Sequence, residues 1–183
     1  MRTDAMARAW TGRLAAGLLL LALVAGCSST AKRVPAPYVV ELTASADVNP
    51  DASGRPSPIQ VSLYELASAN AFENRDFFAL QDDAAAALGA ELAGSEQIVL
   101  RPGQTHQIAR DGDLRARVVG IVAAYRDLEH SRWRLAVDLP EAQNTNIYKV
   151  WQFSPGRETI RIRIGRKGLE IMERESSWLP SLF

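Results

Sequence analysis

Apolar and polar residues alternate along most of this chain, and the period changes once. From Tyr38, YVVELTASADV puts Val40, Leu42, Ala44, Ala46 and Val48 on one face and Val39, Glu41, Thr43, Ser45 and Asp47 on the other. A period of two with one wholly apolar side predicts a half-buried strand. IQVSLYEL repeats the pattern, with Ile59, Val61, Leu63 and, at its end, Glu65 opposite Gln60, Ser62, Tyr64 and Leu66. The ten residues between, NPDASGRPSP at 49–58, hold three prolines and a glycine and cannot continue a sheet. A connection longer than a hairpin needs is a common place for function.

The period lengthens between about residues 68 and 92. Leu80, Ala84 and Leu88 recur every four positions, Phe77 joins their face, and an alanine run covers 84–87. That pattern predicts a helical insertion of one or two short helices, docked through Phe72, Phe77 and Phe78. Asn70 and Glu73 have capping-box spacing, Asp76 can cap a further turn, and Gly89 is placed to end the insertion.

Strand signals then resume. Arg101-Pro102-Gly103-Gln104 reads as a turn between strands at 98–101 and 104–110. RARVVGIVAAYRD reads as a central strand, and RWRLAVDLP alternates Trp133, Leu135, Val137 and Leu139 with Arg132, Arg134, Ala136 and Asp138. ETIRIRIGRKGLEIMER is the clearest hairpin: Ile160, Ile162 and Ile164 face in, Arg161 and Arg163 face out, and Gly165-Arg166-Lys167-Gly168 turns the chain. About eight short strands with regular turn signals predict a β-sandwich or barrel, all-β with a helical insertion. No βαβ rhythm is present, which disfavours a parallel nucleotide-binding sheet.

The N-terminus follows a different rule. Arg2, Arg8 and Arg13 precede an apolar run over 14–25, the layout of a secretory signal, and the run is shorter than the ~20 apolar residues that span a bilayer. Val24-Ala25-Gly26-Cys27 resembles a bacterial lipobox, in which the thiol receives a diacylglycerol and the chain is cut before the cysteine. Cys27 is the only cysteine, so no internal disulfide framework is available. Two or three acyl chains anchor stably where one does not. By bacterial sorting rules, Ser28 in place of Asp points to the inner leaflet of the outer membrane. The expected organisation is a cleaved signal at 1–26, a lipid-anchored tether at 27–37, and one domain at 38–183. The apolar tail, Trp178, Leu179, Leu182 and Phe183, packs back on the domain or docks on a partner; the first is favoured because an exposed apolar tail invites aggregation.

Composition narrows the function. The 183 residues are 47% apolar and 23% charged, with 21 basic and 21 acidic side chains, so nothing points to nucleic acid. His106 and His130 read as surface residues, and neither CxxC nor HExxH occurs. Asp82 and Asp83 are adjacent, point apart on a helix, and suit a helix N-terminus. Arg161, Arg163, Arg166 and Lys167 read as a solvated hairpin edge that resists aggregation, with lipid-headgroup or partner binding as the alternative. No catalytic or metal constellation emerges, and an enzyme is not expected.

The lipobox, IQVSLYEL, AFENRDFFALQDD, VLRPGQ and VVGIVAAYRDLEHSRWRL together resemble the TssJ family, also called SciN or VasD. These are outer-membrane lipoproteins of bacterial type VI secretion systems. The most specific pieces are DFFAL at 76–80, LRPG at 100–103, and the Ala-Tyr-Arg-Asp-Leu run at 124–128 followed by Trp133. The resemblance implies a transthyretin-like β-sandwich of two four-stranded antiparallel sheets, with no enzymatic activity and no cofactor. It implies binding to the periplasmic C-terminal region of the inner-membrane protein TssM, which associates with TssL. The family's contact loop maps onto Asn49, Pro50, Asp51, Ala52, Ser53, Gly54, Arg55, Pro56, Ser57 and Pro58. A second hypothesis, a lipid-anchored carrier of a small apolar ligand, requires a cavity inside the sandwich.

Overall fold

The computed structural model describes residues 32–145 and 157–176. The signal, Cys27, the stretch at 146–156 and the tail beyond Ser176 lie outside the described residues. In chain order the elements are β1 (Lys32–Val34), β2 (Tyr38–Ala44), β3 (Ile59–Leu66), α1 (Asn70–Asn74), α2 (Phe77–Asp82), α3 (Ala84–Leu88) and a 3₁₀ turn (Gly89–Glu91). Then come β4 (Leu92–Leu100), β5 (Thr105–Arg110), β6 (Val118–Ala123), β7 (Arg134–Asp138), β8 (Gln143–Thr145), β9 (Glu158–Ile164) and β10 (Leu169–Ser176).

Two four-stranded sheets form, ordered β10-β9-β2-β5 and β4-β3-β6-β7, with β1 and β8 as a separate ribbon. The pairing is antiparallel except between β2 and β9, which run parallel from Tyr38↔Glu158 to Ala44↔Ile164. The expectation of wholly antiparallel sheets is corrected at this pair. Most of the domain lies between β2 and β9 in sequence, so no tight hairpin dictates their direction. The β9–β10 hairpin forms as its alternation predicts, with a register shift between Ile171 and Glu173.

Burial follows the two-residue period closely. Along β2 every second side chain, Tyr38, Val40, Leu42 and Ala44, is buried. They meet Ile160, Ile162 and Ile164 of β9, and Ile59, Val61, Leu63, Val119 and Ile121 across the sandwich, in one continuous core. The strand stops at Ala44, where the alternation predicted continuation to Val48. Ser45 N–H donates to Ile164 O at 2.9 Å, the chain turns with Ala46 exposed, and Val48 returns to the core fully buried.

Glu65 does end the inward row of β3, and its charge is met there. Tyr38 Oη donates to Glu65 Oε1 at 2.5 Å, and Arg110 lies 3.7 Å from the same carboxyl group and 2.6 Å from Glu96. Tyr38 and Arg110 belong to one sheet and the two glutamates to the other, so a polar bridge closes one end of the sandwich. Burial, then the carboxylate beside it, pushes the Tyr38 hydroxyl pKa far up.

The other face of β3 is buried as well, under the insertion. Phe72 is fully buried over Gly120, where a Cβ would come within 2.9 Å of the ring. Tyr64 packs beside Phe72 at 6.2 Å between ring centres and donates to Leu80 O at 2.8 Å. Asp76 caps α2 by accepting from Ala79 N, and Asp83 caps α3 by accepting from Ala86 N, each at 2.9 Å. Gly89 ends α3 at φ +54°. Two expectations fail locally. Asn70 is the first residue of α1 rather than its cap, because Ser68 Oγ and the Glu91 carboxylate receive the first amides. Phe78 is 66% exposed, since neighbours on a helix diverge by about 100° and Phe77 takes the inward position.

Phe72→Ala should cost about 3–5 kcal/mol in urea unfolding, while Phe78→Ala should stay within about 0.5 kcal/mol. Equal losses would contradict the docking described.

Candidate partner-binding site

Four connections meet at one end of the sandwich. The register Thr43↔Thr105, Ala44↔Ile164, Ile59↔Leu100 and Val61↔Ala123 brings together the loop at 45–58, the turn at 101–104, the connection at 124–133 and the turn at 165–168. The opposite end carries the junction from β1 to Tyr38, together with Glu158 and Ser176.

The loop at 45–58 is built from its own residues. Asn49 has φ +47°, the left-handed region that asparagine tolerates, and is only 4% exposed. Its amide spans two elements: Nδ2 donates to Pro58 O, and Oδ1 accepts from Arg126 N, both at 2.9 Å. Ser57 N–H donates to Val48 O, closing the base of the loop above the buried Val48. Asp51 organises the tip. Its Oδ1 accepts from Ser53 N and Arg55 N, and its Oδ2 from Arg55 Nε, each at 2.9 Å. The Arg55 amide, with its guanidinium and the Ser53 amide, holds the Asp51 carboxyl below the usual carboxylate range. Gly54 N–H closes the turn on Asp51 O at φ +78°. Ala52, Ser53, Gly54, Arg55 and Pro56 are left exposed.

Of the residues expected to bind a partner, the structure therefore divides the set. Asn49 and Ser57 are buried supports, Pro50 and Asp51 are half-buried, and 52–56 with Pro58 offer free surface. Beside the loop lies an open cleft of about 500 Å³, walled by Pro50 to Ala52, by Tyr125, Arg126 and Asp127, and by Arg166 and Lys167. Tyr125 Oη donates to Gly165 O at 3.0 Å, Arg132 N–H donates to Lys167 O at 3.0 Å, and Lys167 lies 3.4 Å from Asp127. His130 Nδ1 sits 2.7 Å from Asp127 and lowers its pKa. The sequence marks 124–128 as a family-like run and Arg166 and Lys167 as part of a basic edge, and places neither beside the loop. Within the loop the signal is an asparagine at the start of a proline-rich run, and nothing in the sequence ties it to Arg126. Among the described residues no cluster of metal-ligating side chains occurs. The 500 Å³ cleft lies between loops rather than between the sheets, whose inner faces pack on each other, so it gives the ligand-carrier hypothesis no interior site.

Asn49→Ala should lower stability by about 2–4 kcal/mol, since it strands two backbone partners at a strained φ. Asp51→Ala should leave the melting temperature near that of the unsubstituted protein yet speed hydrogen exchange at Ser53 and Arg55. Slow exchange there would contradict the tip geometry.

Residues 36–167 match the family model described as Type VI secretion lipoprotein, VasD, EvfM, TssJ. The crystal structure of the type VI secretion lipoprotein TssJ1 from Pseudomonas aeruginosa is 34% identical, with a TM-score of 0.66, covering 80% of this chain and 99% of that one. Serratia marcescens Lip, a membrane-bound component of the type VI secretion system, is 38% identical with a TM-score of 0.67, covering 76% and 98%. A chain in the structure described as the TssM C-terminal domain from EAEC is 18% identical, with a TM-score of 0.58, covering 75% and 98%; at that identity it speaks for the fold alone. No curated protein matches the chain. The chain belongs to the type VI secretion lipoprotein family of TssJ.

Proposed function

We propose that this lipoprotein ties the outer membrane to an inner-membrane component of the type VI secretion machine. Acyl chains on Cys27 hold it to the inner leaflet of the outer membrane, facing the periplasm. The loop at 49–58 grips the periplasmic C-terminal region of a TssM-like protein, and through it the chain is linked to TssL.

The observation that carries this reading is the placement of two features at opposite ends of the domain. The chain enters from its N-terminal side at Tyr38, where β2 begins, and the loop follows Ala44, where β2 ends. An anchor at the first end projects the loop away from the membrane. The loop is also preorganised: two residues are buried, Asp51 fastens the tip, and prolines at 50, 56 and 58 restrict the backbone. A rigid contact surface loses less entropy on binding.

The tether at 27–37 is part of the same proposal, with a shorter free portion. Lys32–Val34 pair with Gln143–Thr145, so its last residues join the fold.

Replacing residues 51–56 by a short Gly/Ser turn, with Val48, Asn49 and Ser57 kept, should preserve the circular dichroism spectrum and abolish calorimetric binding to the TssM periplasmic region. An unchanged Kd would overturn the loop assignment. Cys27→Ser should move the protein from the membrane fraction to the soluble periplasm, and retention with the membranes would overturn the acyl anchor.

A further inference from the structure

The cleft beside the loop has a charge balance that points outward. Asp51 is satisfied by Arg55 and by the amides of its own turn. Asp127 is shared by His130 at 2.7 Å and Lys167 at 3.4 Å. Arg126 and Arg166 are both exposed, and among the described residues neither guanidinium takes part in an ion pair or hydrogen bond. They influence Asp51 and Asp47 only at longer range. The carboxylates lining the cleft are thus already matched, and two forked cations remain over.

The mounting of these cations is firm. Arg126 N–H is held by the Asn49 amide at 2.9 Å, which ties the Arg126 backbone to the loop. Arg166 sits in the turn whose Gly165 N–H donates to Gly168 O at 2.8 Å and whose Gly165 O accepts from Tyr125 Oη. A guanidinium on a fixed backbone, at the mouth of a concave site, suits a carboxylate, which it engages through two parallel hydrogen bonds.

We infer that the cleft receives an acidic segment of the partner protein, with its carboxylates on Arg126 and Arg166 while the neighbouring loop makes the remaining contact. This rests on the partner reading given above, and it adds the chemistry of recognition: the partner presents at least one Asp or Glu beside the surface that the loop meets. The basic hairpin turn is then part of a binding site rather than only a solvated edge.

The test uses the Arg126→Glu, Arg166→Glu double variant of the mature domain, titrated with the TssM periplasmic region by calorimetry at low and at high salt. Both side chains are exposed, so the melting temperature should stay near that of the unsubstituted protein, which keeps a folding defect from passing as a binding defect. Affinity should fall at least about tenfold, and the salt dependence of the unsubstituted protein should flatten in the variant. Unchanged affinity and salt dependence, with the loop replacement still abolishing binding, would overturn the cleft inference and leave the partner reading standing. No binding by the unsubstituted domain would overturn both.

Discussion

The burial of one face of β2 is the constraint on which the rest of the molecule depends. Its inward side chains reach the opposing sheet, and its backbone is bonded on both flanks, antiparallel to β5 and parallel to β9. A slip of one residue would turn Val40 and Leu42 outward and bring Glu41 and Thr43 into the core, so the register is fixed by the cost of burying polar groups. With that register set, Ala44 meets Ile164, Thr43 meets Thr105, and the loops that build the candidate site arrive at one end. The insertion is a second, separate solution. It covers the outer face of β3 and β6 through Phe72 and Leu80, and its fit depends on the missing side chain at Gly120.

At the site end, one side chain does the work of coupling. Asn49 is buried and polar, and such a residue is stable only when its hydrogen bonds are made. It makes them to Pro58 O and to Arg126 N, which joins the loop to a connection 77 residues away. The loop and the Arg126 side of the cleft are therefore joined. That continuity is why the proposed contact at 52–56 and the proposed charge contact at Arg126 would belong to one binding event.

Local chemistry was the part legible in the sequence. The Ile/Arg alternation of β9, the Arg-Pro-Gly-Gln turn and the caps at Asp76 and Gly89 all follow from near neighbours, and the structure has them. Relations between distant segments were not legible. Nothing in β2 or β9 alone encodes a parallel sense, since either direction would bury the same residues. The size and apolarity of Phe78 suggest an inward place, but they do not settle which of two adjacent aromatic residues faces the sheet. In the candidate site, the proline-rich loop stands out by composition, whereas the 124–128 run stands out only as a family-like motif with nothing to place it beside the loop. Among the described residues, the bond from Arg126 N–H to the Asn49 amide ties that run to the loop.

The position of β2 has a mechanical consequence. β2, after the short link at 35–37, is the chain between β1 and the loop at 45–58, so a pull between those two places acts along its axis. Inter-strand hydrogen bonds lie across that axis. Stretching β2 must shear its ladders with β5 and β9 together, rather than peel bonds away one by one as at a frayed edge. Seven aligned residue pairs with β9 and six with β5 resist at once. A central strand flanked on both sides is thus a stiff cord between the N-terminal end of the domain and its far loops, suited to transmitting tension without unravelling.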